Sequence, residues 1–201
     1  MMFMLELNNY VDLYTQIGGG SYGNTFLSLS KGIEIFDFAK QNFTITFKDR
    51  FIVNDKYFLR KDEDSFDRPD INTILKKIEM NIKDYNACVM TDYNKGFFSE
   101  ELYQEIIKIC QSNDVPTFFD PTINNKFNFE DIDFIKLNLD EALIISSEEV
   151  EYEMLEYFMN KGINPIITKS SQGAISLMKD TYISIDAPDI EAVDVSGCGD
   201  I

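Results

Sequence analysis

Chemistry is most concentrated in the segment Val193-Asp194-Val195-Ser196-Gly197-Cys198-Gly199-Asp200. Consecutive small residues let a backbone pass close to a ligand with its N–H groups turned towards it. A helix starting there would add the partial positive charge of its N-terminus at the same point. The result is an anion hole, with the amides of Gly197, Cys198 and Gly199 as donors. Asp200 stands at its edge, placed to take a proton from a hydroxyl. The plainer reading is a Gly-rich turn with an Asp cap, and spacing alone favours it.

Four further polar residues, Asp92, Asp120, Asn138 and Thr168, follow short apolar runs. Their meaning depends on the elements that carry them. From about Asp70 the sequence is regular. Ile71–Ile82 has Ile71, Ile74, Leu75 and Ile78 at helical spacing, and Ala87-Cys88-Val89-Met90 reads as a strand buried on both faces. Ser99–Cys110 reads as a helix with Ser99 as N-cap, acids in its first turn, and Leu102, Ile106 and Ile109 on one face. Strands follow at Pro116–Phe119 and Phe134–Leu137, then helices at Leu139–Ser146 and Glu149–Lys161, the latter closed by Gly162. Pro165–Thr168 is the next strand, and Ala174–Met178 with Tyr182–Ile185 makes a hairpin.

Strand alternating with helix over 70–168 predicts an α/β fold: a mostly parallel sheet with right-handed crossovers and helices on both faces. Ligands gather beyond the carboxyl ends of such strands. That is where Asp92, Asp120, Asn138, Thr168 and the segment after Val193 fall, although loops are polar in any case.

Residues 1–68 read differently, as an irregular, β-rich portion. A short apolar start leads to the turn Gly18-Gly19-Gly20. Phe43-Thr44-Ile45-Thr46-Phe47 alternates as a strand does, with Arg50–Leu59 as its hairpin partner through Asn54-Asp55. The charged run Arg60–Arg68 ends at Pro69. The expected division is therefore 1–68 as a β-rich portion and 69–201 as the α/β core.

Composition narrows the chemistry. The 201 residues include no histidine, 18 Lys+Arg and 35 Asp+Glu, a formal charge of −17. Without histidine there is no Ser-His-Asp or Cys-His nucleophile and no Cys/His zinc site. So negative a chain, whose short basic pieces such as Lys76-Lys77 join no aromatic strip, argues against nucleic-acid binding. Most of the excess charge reads as solubility. Cys88, Cys110 and Cys198 form no CxxC pair and suit a reducing compartment, with Cys88 and Cys110 in apolar, core-like runs. Met1–Leu5 is too short for a signal peptide, and no apolar run reaches the roughly 20 residues of a membrane span. The expectation is a cytoplasmic protein without a membrane partner.

With these segments in order, Asp194-Val195-Ser196-Gly197-Cys198-Gly199-Asp200 resembles the D-T-T-G-A-G-D signature of the ribokinase-like (PfkB) carbohydrate kinases, departing from it at Val195, Ser196 and Cys198. Thr91-Asp92-Tyr93-Asn94-Lys95-Gly96 is similar to the S-D-Y-x-K-G segment of the heptose-7-phosphate kinase branch. Asp120-Pro121 resembles its D-P. Asn138-Leu139-Asp140-Glu141 resembles the N-x-x-E segment, and Thr168-Lys169-Ser170-Ser171-Gln172-Gly173 its T-R-S-E-Q-G loop. Ser170 stands where many other members have Gly. Upstream, Gly19-Gly20-Ser21-Tyr22-Gly23-Asn24 is similar to the sugar-contacting G-G-x-x-x-N. Thr46–Arg50 and Leu59–Asp62 resemble the branch's T-x-K-x-R and L-R-x-D.

The resemblance implies a sugar kinase, of heptose 7-phosphate in particular, using ATP and Mg²⁺. Asp200 is then the base and Gly197, Cys198 and Gly199 the anion hole. Asn138 and Glu141 serve the metal, and Asn138, Thr168 and Gly173 the nucleotide side. Gly19, Gly20, Asn24, Asp92 and Lys95 bind the sugar, with Lys48 and Arg50 for its phosphate. Blander readings stand beside these: Asp120 as a turn starter, Lys95 as an exposed loop lysine, Lys48 and Arg50 as a solvated strand face, and Asn138 with Glu141 as an ordinary helix start.

The comparison also implies gaps. Members begin with a strand and a Gly-Asp segment whose Asp holds sugar hydroxyls, and Asp12 is the only acid in a comparable stretch. Between Asn24 and Thr44 only a short connection is expected. Beyond Asp200 the helix and adenine loops are missing, so the fold is expected to be incomplete. The readings are a fragment, a split product completed by a partner chain, and a degenerate paralogue, with a homodimer as the alternative to a completing partner. The alternative function is an inactive module that binds nucleotide or sugar phosphate and acts through a partner.

Overall fold

The structure, a computed structural model, describes residues 2–5, 10–53, 56–122 and 127–188. Its frame is a nine-stranded sheet built from β1 (Met2–Leu5), β2 (Val11–Thr15), β3 (Glu34–Asp37), β6 (Ala87–Thr91), β7 (Thr117–Asp120), β8 (Phe134–Asn138), β9 (Asn164–Thr168), β10 (Ala174–Met178) and β11 (Thr181–Ile185). The order across it is β11-β10-β9-β8-β7-β6-β1-β2-β3. A separate ribbon pairs β4 (Phe47–Val53) with β5 (Lys56–Glu63). The helices are α1 (Ser21–Leu29), α2 (Ile71–Asn81), α3 (Glu100–Gln111), α4 (Leu139–Ser146) and α5 (Glu151–Met159).

The regular half forms where its periodicity predicts. Ile74 and Ile78 of α2, four residues apart, are both fully buried, as are Leu102, Ile106 and Cys110 along α3. Ser99 caps α3, its Oγ accepting the Leu102 N–H at 3.1 Å, and Glu100 and Glu101 sit where the helix dipole favours acids. Cys88 and Met90 of β6 and Ile135 and Leu137 of β8 alternate into the same core. Burying each such side chain is worth about 1.5–3 kcal/mol. Cys88 and Cys110 are free thiols in that core, as expected.

β6, β7, β8 and β9 are mutually parallel. β2 runs the same way, because it and β6 are each antiparallel to the short β1 between them. The α3 crossover from β6 to β7 travels towards β9, whereas the α1 crossover from β2 to β3 travels the other way. Right-handed connections therefore lie on opposite faces. The direction of winding reverses between β2 and β6, and their carboxyl ends frame a crevice there.

Four expectations change. The hairpin pairs Phe47–Val53 with Lys56–Glu63 and not Phe43–Phe47 with Arg50–Leu59. Its turn residues, Asn54 and Asp55, lie outside the described residues. Phe43 is buried and Ile45 half-buried because both line a cavity, as Phe47 also does, so their alternation marks a cavity wall and not a ladder. The start of the chain supplies β1 and β2 to the main sheet. Between Asn24 and Thr44 there is a crossover unit with the rest of α1 and β3, not a bare connection. α1 has no side-chain cap and no acid in its first turn. It gains stability from packing instead: a Cβ at Gly23 would lie 2.4 Å from the Gly18 carbonyl. The expected helix Glu149–Lys161 is shorter, beginning at Glu151.

Candidate functional site

A cavity of about 350 Å³ opens at the carboxyl ends of β2 and β6. Thr15, Gln16 and Ile17 form one wall, and Asp92, Tyr93, Lys95 and Phe97 the opposite one. The third side is Phe43, Ile45, Thr46, Phe47 and Lys48 with Ser65, where the chain enters and leaves the β4–β5 ribbon. The walls are fixed to one another. Asp37, ending β3, accepts the N–H groups of Ile17 and Gly18 at 2.9 and 3.1 Å. Thr46 Oγ1 accepts the Ser65 N–H at 3.0 Å. Lys95 Nζ reaches Asp64 at 2.5 Å, and Tyr22 of α1 stacks on Phe47 with centroids 5.0 Å apart.

A second cavity of about 190 Å³ adjoins it at the ends of β6, β7 and β8. Asp92 and Tyr93 line both, so the two spaces meet at that pair. Asp92 is 4% exposed; its Oδ1 accepts the Asn94 N–H at 2.8 Å and its own N–H donates to the Asp120 carbonyl at 3.0 Å. Asp120, Lys136, Asn138 and Glu141 line the second space, with Lys136 Nζ 3.0 Å from Asp120 Oδ2. Asn138 and Glu141 form a capping box at the start of α4: Asn138 Oδ1 accepts the Glu141 N–H, and Glu141 Oε2 accepts the Asn138 N–H, both at 2.8 Å. Burial pushes the Glu141 carboxyl above its usual range and the Asp120 charge adds to this, while the Asn138 N–H and Lys136 pull it back.

The helix-start reading of Asn138 and Glu141 is thus realised, and it holds Glu141 facing the same space as Asp120. Among the described residues no three acidic or thiol side chains gather into a metal cage. The donor set instead fits a hard cation such as Mg²⁺, which commonly takes one or two carboxylates and completes its shell with phosphate oxygens and water. Like charges facing one cavity, with Glu141 partly desolvated, favour such a cation.

Not every other expected residue reaches these two spaces. Gly19 and Gly20 connect the Gln16 wall to α1, and Asn24 sits one turn into that helix with its backbone N–H on the Gly20 carbonyl; none of the three lines the cavity. Lys48 lines it, and Arg50, two residues along β4 on the same ribbon face, does not. Arg50 is paired directly across from Arg60. Lys95 lines the cavity, half-buried and bound to Asp64, and so is not the exposed loop lysine of the blander reading. Thr168 ends β9 beside Asn138, its Oγ1 3.3 Å from the Leu137 carbonyl. Gly173 follows a short 3₁₀ turn with φ 87°, and a Cβ there would lie 1.9 Å from the Ile185 carbonyl, so only glycine fits. Ser170 in that turn has φ 54°, the left-handed geometry at which glycine is usual. Gly197, Cys198, Gly199 and Asp200 lie outside the described residues.

The sequence did not single out Gln16 or Thr122. Each carries a buried polar atom, Gln16 Nε2 and Thr122 Oγ1, without a hydrogen-bond partner among the described residues. They line the first and second cavity respectively. The rule that found Asp92 and Asn138, a polar residue following a strand, would have found Gln16 had β2 been recognised.

The family model for pfkB family carbohydrate kinases matches residues 6–201. Among curated proteins, the chain is similar to the Bifunctional protein HldE of Aliarcobacter butzleri, 27% identical over 98% of this chain and 44% of that protein. It is also similar to the Bifunctional protein HldE of Haemophilus influenzae, 25% identical over 99% of this chain and 44% of that protein. The chain therefore spans less than half the length of these relatives. Among solved structures, ribokinase from Giardia lamblia superposes with a TM-score of 0.71 at 15% identity, covering 94% of this chain and 63% of that one. Phosphofructokinase-2 from Escherichia coli, in complex with substrates and products, gives 0.68 at 12%, covering 97% and 67%. The fold is ribokinase-like.

Proposed function

The chain belongs to the pfkB family of carbohydrate kinases, and on that premise we propose that it phosphorylates a sugar phosphate, heptose 7-phosphate first among the candidates, at the expense of ATP. The observation that carries this reading is the meeting of two cavities at Asp92 and Tyr93. One is large enough for a sugar and the other is lined by the carboxylates suited to a phosphate-bound cation. Phosphoryl transfer is mainly positioning and charge stabilisation, so adjoining sites for the two reactants are its central requirement.

The sugar lies in the larger cavity against Asp92 and Lys95, with Gly19, Gly20 and Asn24 at the turn beyond Gln16. Lys48 and Arg50 take its existing phosphate as charge-assisted donors. Asp200 accepts the proton of the attacking hydroxyl; that oxygen bonds to the γ-phosphorus as the bond to the β-phosphate oxygen breaks, leaving ADP. Amides of Gly197, Cys198 and Gly199 offset the charge on the transferring group. Thr168 and Gly173 belong to the nucleotide side, and Asn138 and Glu141 would hold Mg²⁺, which when bound would neutralise phosphate charge. Free buried thiols at Cys88 and Cys110, with no helix among the described residues long and apolar enough to cross a membrane, support a cytoplasmic setting.

A second reading, binding without transfer, draws on Asp12. Its carboxylate accepts the Tyr85 hydroxyl within the sheet and is not turned to the cavity as a sugar-holding acid would be. One experiment separates the two. ADP release is followed with heptose 7-phosphate, fructose 6-phosphate and ribose, beside calorimetric binding of each. Turnover that falls about 10²–10⁴-fold in Asp200→Asn is expected. Turnover unchanged by that substitution defeats the mechanism, and binding with no ADP formed supports the second reading.

A further inference from the structure

Gln16 is 9% exposed, follows β2 at the cavity wall, and its Nε2 is shut off from solvent without an acceptor among the described residues. The backbone on its far side is not free to move it elsewhere, because Asp37 clamps the N–H groups of both Ile17 and Gly18. An amide buried without a partner is destabilising, whereas a hydrocarbon side chain of the same length would carry no such penalty. Other polar groups lining the cavity already have protein partners: Thr46 takes Ser65, Lys95 holds Asp64, and Asp92 takes Asn94. The cavity that Gln16 lines also presents apolar surface from Ile17, Phe26 and Phe43.

We infer that Gln16 is a specificity-determining residue whose side-chain amide hydrogen-bonds a hydroxyl of the sugar in the larger cavity, a role that rests on the sugar-kinase reading above. The class of acceptor is set by the group itself. A phosphate oxygen in an apolar wall calls for a cation, which Lys48 supplies elsewhere in the cavity. A neutral amide matches a neutral oxygen, and its donor and acceptor ends together match a hydroxyl, which both gives and takes a proton. In low-dielectric surroundings the bond is strong when made and costly when absent, so the residue selects for a sugar bearing a hydroxyl at that point.

The test compares wild type with Gln16→Leu and Gln16→Met, measuring melting temperature without ligand and Kd for heptose 7-phosphate and fructose 6-phosphate by calorimetry. The inference expects melting at or above the wild-type temperature in both variants, and Kd weakened about tenfold for the sugar phosphate that wild type binds. A variant that melts lower and binds as wild type does overturns the inference by making the amide structural. Unchanged Kd with unchanged melting overturns it equally, and leaves the sugar-kinase reading intact. Wild type binding neither sugar phosphate defeats the kinase reading on these substrates and the role of Gln16 with it. Methionine, close to glutamine in length and shape, keeps the comparison decisive should leucine disturb the fold.

Discussion

Neither backbone nor space requires glycine at position 19. Its φ is not in the left-handed region, and a Cβ built there meets nothing within 4 Å. Gly20 beside it has φ 99° and so does require it. Under the proposed function, close approach of the sugar to this backbone would account for the glycine. Gly19→Ala should therefore raise the melting temperature by about 1–4 °C, because alanine restricts the unfolded chain, while weakening sugar-phosphate affinity. Thermal melts paired with calorimetry check this; unweakened affinity would remove Gly19 from the site. The positions of Asp92 and Asn138 on the cavity walls were legible because a short apolar run marks where a strand ends, and a polar residue at that end faces the ligand side of the sheet. Gln16, Thr46 and Ser65 were not, since each gains its meaning from a contact or cavity closed by distant chain.

At the scale of elements, the β4–β5 ribbon is the part whose placement matters most to substrate choice. It joins no strand of the main sheet, and an isolated two-stranded ribbon is marginally stable in water. Lys48, Arg50 and Arg60 lie along one of its faces, and Arg50 opposes Arg60 directly, an unfavourable pairing that an anion relieves. Arg60 already leans on Asp62, Nε to Oδ1 2.8 Å, which leaves Lys48 and Arg50 as the stronger candidates for a phosphate. Lys48→Ala and Arg50→Ala should each weaken binding of the phosphorylated sugar about three- to tenfold, an effect that shrinks as salt rises, with ribose binding unchanged. Equal losses for ribose and sugar phosphate would show that the ribbon reads shape and not charge. The two positive residues were visible in the sequence, but the register that brings Arg60 beside them was not. The alternation of Phe43, Ile45 and Phe47 imitates a strand because all three line one cavity.

At the scale of the whole molecule, the sheet is stitched across its switch point by phenols. Tyr85, just before β6, donates to Asp12 and lies 3.5 Å from the Tyr14 hydroxyl, both on β2, so the link spans β1. Burial pushes the Tyr14 and Tyr85 phenols upward, and for Tyr85 the bond to Asp12 adds to it. Burial does the same to Tyr103 on the buried face of α3, with the Asp131 charge adding to it. A phenol whose folded pKa lies above its unfolded value near 10 contributes stability that is fully present below about pH 10 and is lost as pH rises beyond it. The charge of −17 grows in the same direction, adding self-repulsion. The expected outcome is an alkaline transition above about pH 10 in which phenolate absorbance from these three tyrosines appears together with loss of the helical circular-dichroism signal. Tyr85→Phe, which strips the half-buried Asp12 of its donor, should lower stability by about 1–3 kcal/mol and bring the transition to lower pH. Were all ten tyrosines to ionise while the helical signal held, the phenols would not be part of what holds β2 to β6, and the cavity between those strands would need another brace.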